Sequence, residues 1–225
     1  MHREKDSENE LLARAPRFRL QGEFIRDHAL AVSGLLNPMV GGPGVKPYQP
    51  ANIWNEVSLN GGLRYKQDQG DKLYRRSMYT YWKRSSPMPN MLIFDSPSRE
   101  KCVIQRQRTN TPLQALVTLN DPQFLEAARA FAERLLKSGK SDPAARIDLA
   151  YRYATARLAT GREVEILTQL YQKNLARFQS SPETAKEFLK VGESPRDESL
   201  DSSEHAAWMV VAQTIMNLDE SLTRN

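Results

Sequence analysis

The 225-residue chain holds one cysteine, Cys102, and three histidines, His2, His28 and His205. A single thiol excludes an internal disulfide and leaves the compartment unreadable from cysteine usage. With no histidine near it in sequence, Cys102 reads as a small buried hydrophobe rather than a nucleophile. The histidines are scattered and neither H-E-x-x-H nor a Cys/His cluster occurs, so the sequence offers no metal site. C-x-x-C-H is also missing, which excludes attachment of a c-type haem to this chain. The longest apolar run is AAWMVVA, 206–212, far short of the ~20 residues a membrane span requires. The opening MHREKDSENE is charged and lacks the apolar core of a signal peptide, so we expect no export signal in it. Neither G-x-x-x-x-G-K-[ST] nor G-x-S-x-G is present, and GGPGVKP, 41–47, reads as a turn-forming loop.

What is present is charge, unevenly spread. Lys and Arg number 32 against 27 Asp and Glu, a net +5, with 26% charged and 40% hydrophobic residues. Those proportions suit a soluble globular chain, and this length buries roughly 70% of its unfolded surface. Residues 64–108 carry eleven Lys/Arg against four acids, while residues 181–204 carry seven acids against three bases. The molecule therefore has a basic middle and an acidic tail segment. Such a middle is either solvated surface or a contact for a polyanion.

The pattern predicts a mainly α fold, an irregular helical array with a loop-rich, Pro/Gly- and aromatic-rich middle, in one domain over 1–225. A long helix is expected in 1–37, from about Glu8 to Leu36, with Leu20, Phe24, Ile25, Ala29, Ala31, Val32, Leu35 and Leu36 as its apolar stripe and Asn37-Pro38 as its stop. The basic, aromatic segment follows over 38–110. Residues 38–62 hold four of the 13 prolines and five of the 11 glycines. Within 73–84, Tyr74, Met78 and Tyr81 fit a helical face, and Met91 to Phe94 read as a hydrophobic plug or short strand. A helical array is expected over 111–225. Thr111-Pro112-Leu113-Gln114 fits a capping box, and Asp121-Pro122, Asp142-Pro143 and Ser181-Pro182 are helix starts. The third helix of this array should run to Gly161 with Leu158 on its apolar face, and the last should carry Trp208, Val211, Ile215, Leu218 and Leu222 on one stripe.

Chemistry concentrates in RQRTNTPLQALVTLNDPQF, 106–124, where Arg106 and Arg108 precede a helix start. Positive charge is unfavourable at that end, so a counter-charge is required. One reading is a structural clasp: Arg106 and Arg108 reach Glu23 and Asp27 on the first helix, and Asn110 and Thr111 cap the backbone donors. The other is a cradle in which the guanidinium groups and free helix N–H groups hold an external anion. Removing both arginines separates the two, because a clasp predicts lost stability and a cradle predicts lost anion binding. Glu23 and Asp27 stand four apart and share a helix face. Such a pair does acid/base chemistry only with separated proton affinities in a cleft, so a structural role is the simpler expectation.

Seven of the 18 aromatic residues fall within 48–82, among the basic residues. Trp54, Tyr81 and Trp82 are the candidates for stacking on sugar faces. No RNP, KH or zinc-finger pattern occurs, so nucleic acid is not an expected partner.

LLARAPRFRLQGEFIRDHALAVSGLL (11–36), GGPGVKPYQP (41–50), YRRSMYTYWKRSSPMPNMLIFDSPSRE (74–100), RQRTNTPLQALVTLNDPQFLEAARAFAERLL (106–136), ATGRE (159–163) and AWMVVAQTIMNLDESLTR (207–224) together resemble the C-terminal domain of unknown function of secreted planctomycete proteins. Those proteins usually carry an upstream planctomycete cytochrome c module. The resemblance implies a periplasmic or extracellular setting, a chain that is the C-terminal fragment of a larger protein, upstream domains of that protein as partners, and haem c, if any, on those domains. It transfers no catalytic residue. The expected role is a structural or interaction domain that binds an acidic glycan or another anion. The alternative is the substrate-binding part of an exported enzyme acting on sulfated or acidic polysaccharide, or of a haem-linked redox protein.

Overall fold

The computed structural model describes residues 6–11, 17–57, 62 and 64–224, so His2 and residues 12–16 of the expected first helix lie outside the described residues. The protein is mainly α, with ten helices and two two-residue strands among the described residues. The helices are α1 (Gly22–Ser33), α2 (Ile53–Glu56), α3 (Pro89–Ile93), α4 (Pro112–Asn120), α5 (Pro122–Leu136), α6 (Pro143–Thr155), α7 (Gly161–Ser180), α8 (Pro182–Phe188), α9 (Ser202–Met216) and α10 (Asp219–Leu222).

Helix α9 is apolar on almost every side, and such a helix is stable only inside a core. Ala206, Ala207, Trp208, Met209, Val211, Ala212 and Ile215 are all fully buried. Helices α5, α6, α7 and α8 pack around it. Met209, Val211 and Ile215 each contribute roughly 1.5–3 kcal/mol by leaving water. Helix α5 then passes the core on to α1 through Phe124, Ala127, Ala128 and Phe131, which meet Ile25, Ala29 and Val32. The expected single stripe from Trp208 to Leu222 is broken, because the helix ends at Met216 and restarts as α10 at Asp219.

The first helix is shorter than the pattern suggested. Phe18–Arg19 form strand β1, which pairs antiparallel with β2, Thr223–Arg224, in the register Phe18↔Arg224 and Arg19↔Thr223. At its other end α1 stops at Gly34, not at Asn37-Pro38: φ there is +85°, and its N–H donates to the Ala31 carbonyl. Phe24 and Ala31, placed on the expected stripe, face outward, Phe24 being 57% exposed.

Three further elements depart from expectation. The stretch 73–84 is no α-helix; Gly70–Tyr74 and Ser77–Tyr79 are 3-10 turns that lie against α1. Residues Met91 to Phe94 belong to helix α3 and its end, with Met91 and Phe94 buried. Helix α6 ends at Ala156, whose φ is +60°, so Leu158 lies beyond it and is half exposed. The starts at Asp121, Asp142 and Thr160 carry side-chain caps, and Thr160 with Glu163 completes a capping box.

Candidate functional site

Within the segment 38–110, which has little regular structure, Leu73, Tyr74, Arg75 and Ser77 are buried against the helices. Their carbonyl and N–H groups therefore need side-chain partners. For the Leu73 and Arg75 carbonyls the partner is Arg26 of α1. Its Nε donates to Gln123 Oε1 at 2.6 Å, Nη1 to the Arg75 carbonyl at 2.7 Å and to Ser77 Oγ at 3.1 Å, and Nη2 to the Leu73 carbonyl at 2.6 Å. The guanidinium is 2% exposed, and burial lowers its pKa to about 10, which leaves it charged at neutral pH. Asp27 beside it accepts from Ser77 N and Ser77 Oγ, both at 2.7 Å, and lies 3.6 Å from Arg26.

Arg106 reaches the same helix. Its Nη1 donates to Glu23 Oε2 at 2.8 Å and to Gln21 Oε1 at 3.0 Å, and Ser96 Oγ donates to the same Glu23 oxygen at 3.3 Å. Arg108 takes another course. It is exposed and stacks over the Phe18 ring at 4.5 Å, with no carboxylate partner among the described residues. The structure thus brings Arg106 to Glu23 and keeps Arg108 and Asp27 apart from that pair.

The expected capping box at Thr111 does not form, since the Thr111 side chain makes no cap bond. Gln114, its intended partner, is drawn away: Nε2 donates to the Ile93 carbonyl at 2.9 Å and to Thr109 Oγ1 at 3.0 Å. Asn110 is exposed and caps nothing among the described residues. The acid nearest this segment is Asp95, which accepts from Thr109 N at 2.7 Å and from Thr109 Oγ1 at 2.9 Å. The space framed by Arg19, Asp95, Arg106 and Arg108 measures about 10 Å³. That is room for one water at most.

A second carboxylate is spent on loop backbone. Glu126 of α5, 1% exposed, accepts through Oε1 from Tyr74 OH at 2.8 Å, Glu193 N at 2.8 Å and Ser194 N at 2.6 Å. Arg129 donates through Nη2 to the Ser194 carbonyl at 2.6 Å. Among the described residues no group of three or more His, Cys, Asp or Glu side chains converges as metal ligands would.

The aromatic candidates divide. Trp54 is buried, with Tyr65 edge-on at 5.2 Å and Tyr81 tilted at 5.8 Å. Lys46 Nζ lies 5.6 Å from the Trp54 centroid and 5.3 Å from that of Tyr81, and Lys83 Nζ lies 4.6 Å above Trp54. Tyr81 is 48% exposed and is the ring of this group offered to solvent. Trp82 belongs elsewhere: its Nε1 donates to the Ser98 carbonyl at 3.0 Å and Arg99 stacks on it at 4.7 Å. Cys102, expected to be buried, is exposed in the loop before Arg106, as are Val103 and Ile104. Sequence reasoning passed over Arg26 as a hub, although its signal was present: residues 26, 29, 30 and 33 share a face, and all four are buried.

Fold and site together define a mainly α-helical domain in which buried charged side chains hold a basic, aromatic loop segment against a helical core. Residues 1–171 match the family described as PSD1, protein of unknown function (DUF1553), and the chain belongs to that family. No curated protein and no solved structure matches it. The match stops inside α7, yet the core it enters continues through α9 and α10.

Proposed function

We propose that this is a non-catalytic structural and interaction domain of an exported multidomain protein, whose helical array fixes the basic, aromatic segment for contact with an acidic glycan or another anionic polymer. One observation carries the reading. The carboxylates best placed for acid/base chemistry, Glu23, Asp27 and Glu126, are each occupied by structural hydrogen bonds. Four cations of the segment are not: Arg64, Lys66, Lys72 and Lys101 are exposed, with no carboxylate partner among the described residues. Unpaired cations at a surface attract polyanions in a salt-dependent way. The exported setting, the neighbouring domains and any haem on them rest on the resemblance to secreted planctomycete proteins. No helix among the described residues is long and apolar enough to cross a membrane.

The test is a glycan array read at two salt concentrations with this chain. Retention of sulfated or uronate-bearing polymers at low salt, weakened at high salt, is expected. An array on which no acidic polymer is retained at low salt defeats the proposal. Turnover of such a polymer by this chain alone would replace it with the enzymatic reading.

A further inference from the structure

We infer that the surface formed by residues 46–55 and 64–83 is a subsite for one acidic sugar unit, a uronate or a sulfated sugar; this rests on the anionic-glycan reading above and names where and how that ligand is held. The first observation is a cleft of about 420 Å³ lined by Gln49, Asn52, Asn55, Arg64, Tyr65 and Gln67. That volume is within the range of small-ligand sites. Pro50 and Ala51 complete the lining, so four of the eight residues are amides, which offer the donors and acceptors that sugar hydroxyls need; Gln67 Nε2 already donates to Glu193 Oε1 at 2.6 Å.

The second observation is what adjoins the cleft. Tyr65 belongs to both parts: it lines the cleft, and its ring packs edge-on to Trp54 at 5.2 Å. Its hydroxyl donates to the Pro47 carbonyl, which fixes the phenol. The backbone holds the two segments together as well, with Asp68 N donating to the Lys46 carbonyl at 2.9 Å and Lys46 N to Asp68 Oδ2 at 2.8 Å. Asp68 is thereby used on backbone. The ammonium groups of Lys46 and Lys83 sit on the Trp54 and Tyr81 rings, and neither has a carboxylate partner among the described residues.

The third observation gives the sign of the ligand. Gln49 Nε2, Trp54 Nε1 and Lys83 Nζ are buried without a hydrogen-bond partner, and Trp54 as a whole is 7% exposed. All three are donors. Buried donors without acceptors are costly and rare in a folded protein. Gln49 lines the cleft and Lys83 rests on the adjoining Trp54 ring, so a ligand there should be rich in oxygen acceptors, and two unpaired ammonium groups favour an anionic one. Hydroxyls for the amides, a face for Tyr81, and a carboxylate or sulfate for the lysines are combined in an acidic sugar.

The experiment is calorimetric titration of the chain at low salt with trigalacturonate, a sulfated chondroitin tetrasaccharide, neutral cellotriose and an oligothymidylate of matched charge. The arms with trigalacturonate and the sulfated tetrasaccharide distinguish carboxylate from sulfate as the recognised group. Wild type should bind at least one of these two and bind cellotriose at least about tenfold more weakly, because charge-assisted contacts dominate the site. The double variant K46Q/K83Q should weaken the acidic sugar by about tenfold or more, whereas K140Q/K173Q, exposed lysines outside the basic segment, should change it less than about threefold. Should K46Q/K83Q melt early, Q49A/N55A carries the test, with an expected weakening of about fivefold from lost amide contacts. Full-strength binding by the subsite variants overturns the subsite and leaves the glycan reading standing. Absence of binding to both acidic sugars overturns both. Equal binding of cellotriose overturns the charge assignment, and tighter binding of the oligothymidylate overturns the sugar assignment.

Discussion

Gly192 offers the sharpest single-site test of how the loop segment and the acidic tail are held. Its φ is +81°, and a β-carbon added there would lie 2.3 Å from Glu126 Cδ, 2.4 Å from Oε1 and 2.5 Å from Cγ. Glu126 has no room to retreat, since it is 1% exposed and Oε1 holds three donors, Tyr74 OH, Glu193 N and Ser194 N. Gly192→Ala therefore incurs two costs. The left-handed backbone costs an alanine about 1–2 kcal/mol. Displacing the carboxylate breaks at least one hydrogen bond to a charged acceptor, about 1.5–3 kcal/mol. The expected total is about 2.5–5 kcal/mol, which in a domain of this size lowers Tm by roughly 5–20 °C. Gly139→Ala is the matched control. Its φ is +74°, and nothing lies within 4 Å of an added β-carbon, so only the backbone cost applies. Both variants also stiffen the unfolded chain equally, and that part cancels between them. Urea unfolding of the two, with circular dichroism as the probe, should separate them by about 1.5–3 kcal/mol. Two variants that unfold together would refute the claim that Glu126 is rigidly held against the 192–194 turn.

Arg106→Gln should destabilise by about 1 kcal/mol, since the pair with Glu23 is partly exposed, and Arg108→Gln by less than about 0.5 kcal/mol. A double-mutant cycle of Arg106→Gln with Glu23→Gln measures the coupling, and a coupling near zero would remove the clasp. Glu163 is held at about 2, below its ordinary 4.5, first by Arg157 and then by the Thr160 cap. Because the folded value is the lower one, its stabilisation is complete above pH 4.5 and is lost as pH falls towards 2; thermal melts over that window should slope less in Glu163→Gln. His205 is fully buried, with Nε2 3.0 Å from the Arg129 carbonyl, and burial lowers its pKa from the ordinary 6.5. The unfolded chain takes up that proton first, so stability should decline as pH drops below 6.5, and urea midpoints at pH 7.5 and 5.5 should move closer together in His205→Gln.

Legibility followed the range of the interaction. The starts at Asp121-Pro122 and Asp142-Pro143 were visible because cap, proline and first turn lie within four residues, and the structure forms both caps. The start of α1 was not, because β1 pairs with Thr223 and Arg224 at the far end of the chain, and no local pattern encodes that partner. Tyr74, Met78 and Tyr81 kept helical spacing, yet 73–84 is not α-helical: carbonyls that would accept from the next turn, those of Leu73 and Arg75, accept from Arg26 instead. Within the site, Arg106 and Glu23 could be matched by charge alone. Asp27 could not, because its partner, Ser77, is neutral. The Thr111 box failed for a similar reason, since Gln114 is bound by Thr109 and Ile93 across the fold.

These departures share a physical cause. A loop buried against helices has backbone groups that water cannot reach, and regular structure does not satisfy them. Here the Leu73–Ser77 stretch is gripped from two helices with opposite chemistry. Arg26 of α1 donates to its carbonyls, while Asp27 of α1 and Glu126 of α5 accept from Ser77 and Tyr74. Arginine suits the donor side because its planar fork reaches several acceptors at once and stays charged when buried. Glu23, Asp27 and Glu126 are accordingly spent on architecture, while Lys46 and Lys83 rest on the Trp54 and Tyr81 rings without a carboxylate partner among the described residues. The charge excess of residues 64–108 is thus divided: the arginines at 75 and 106 are turned inward as tethers, and the proposed anion contact draws only on the cations left exposed after tethering, not on the whole excess of eleven Lys/Arg over four acids.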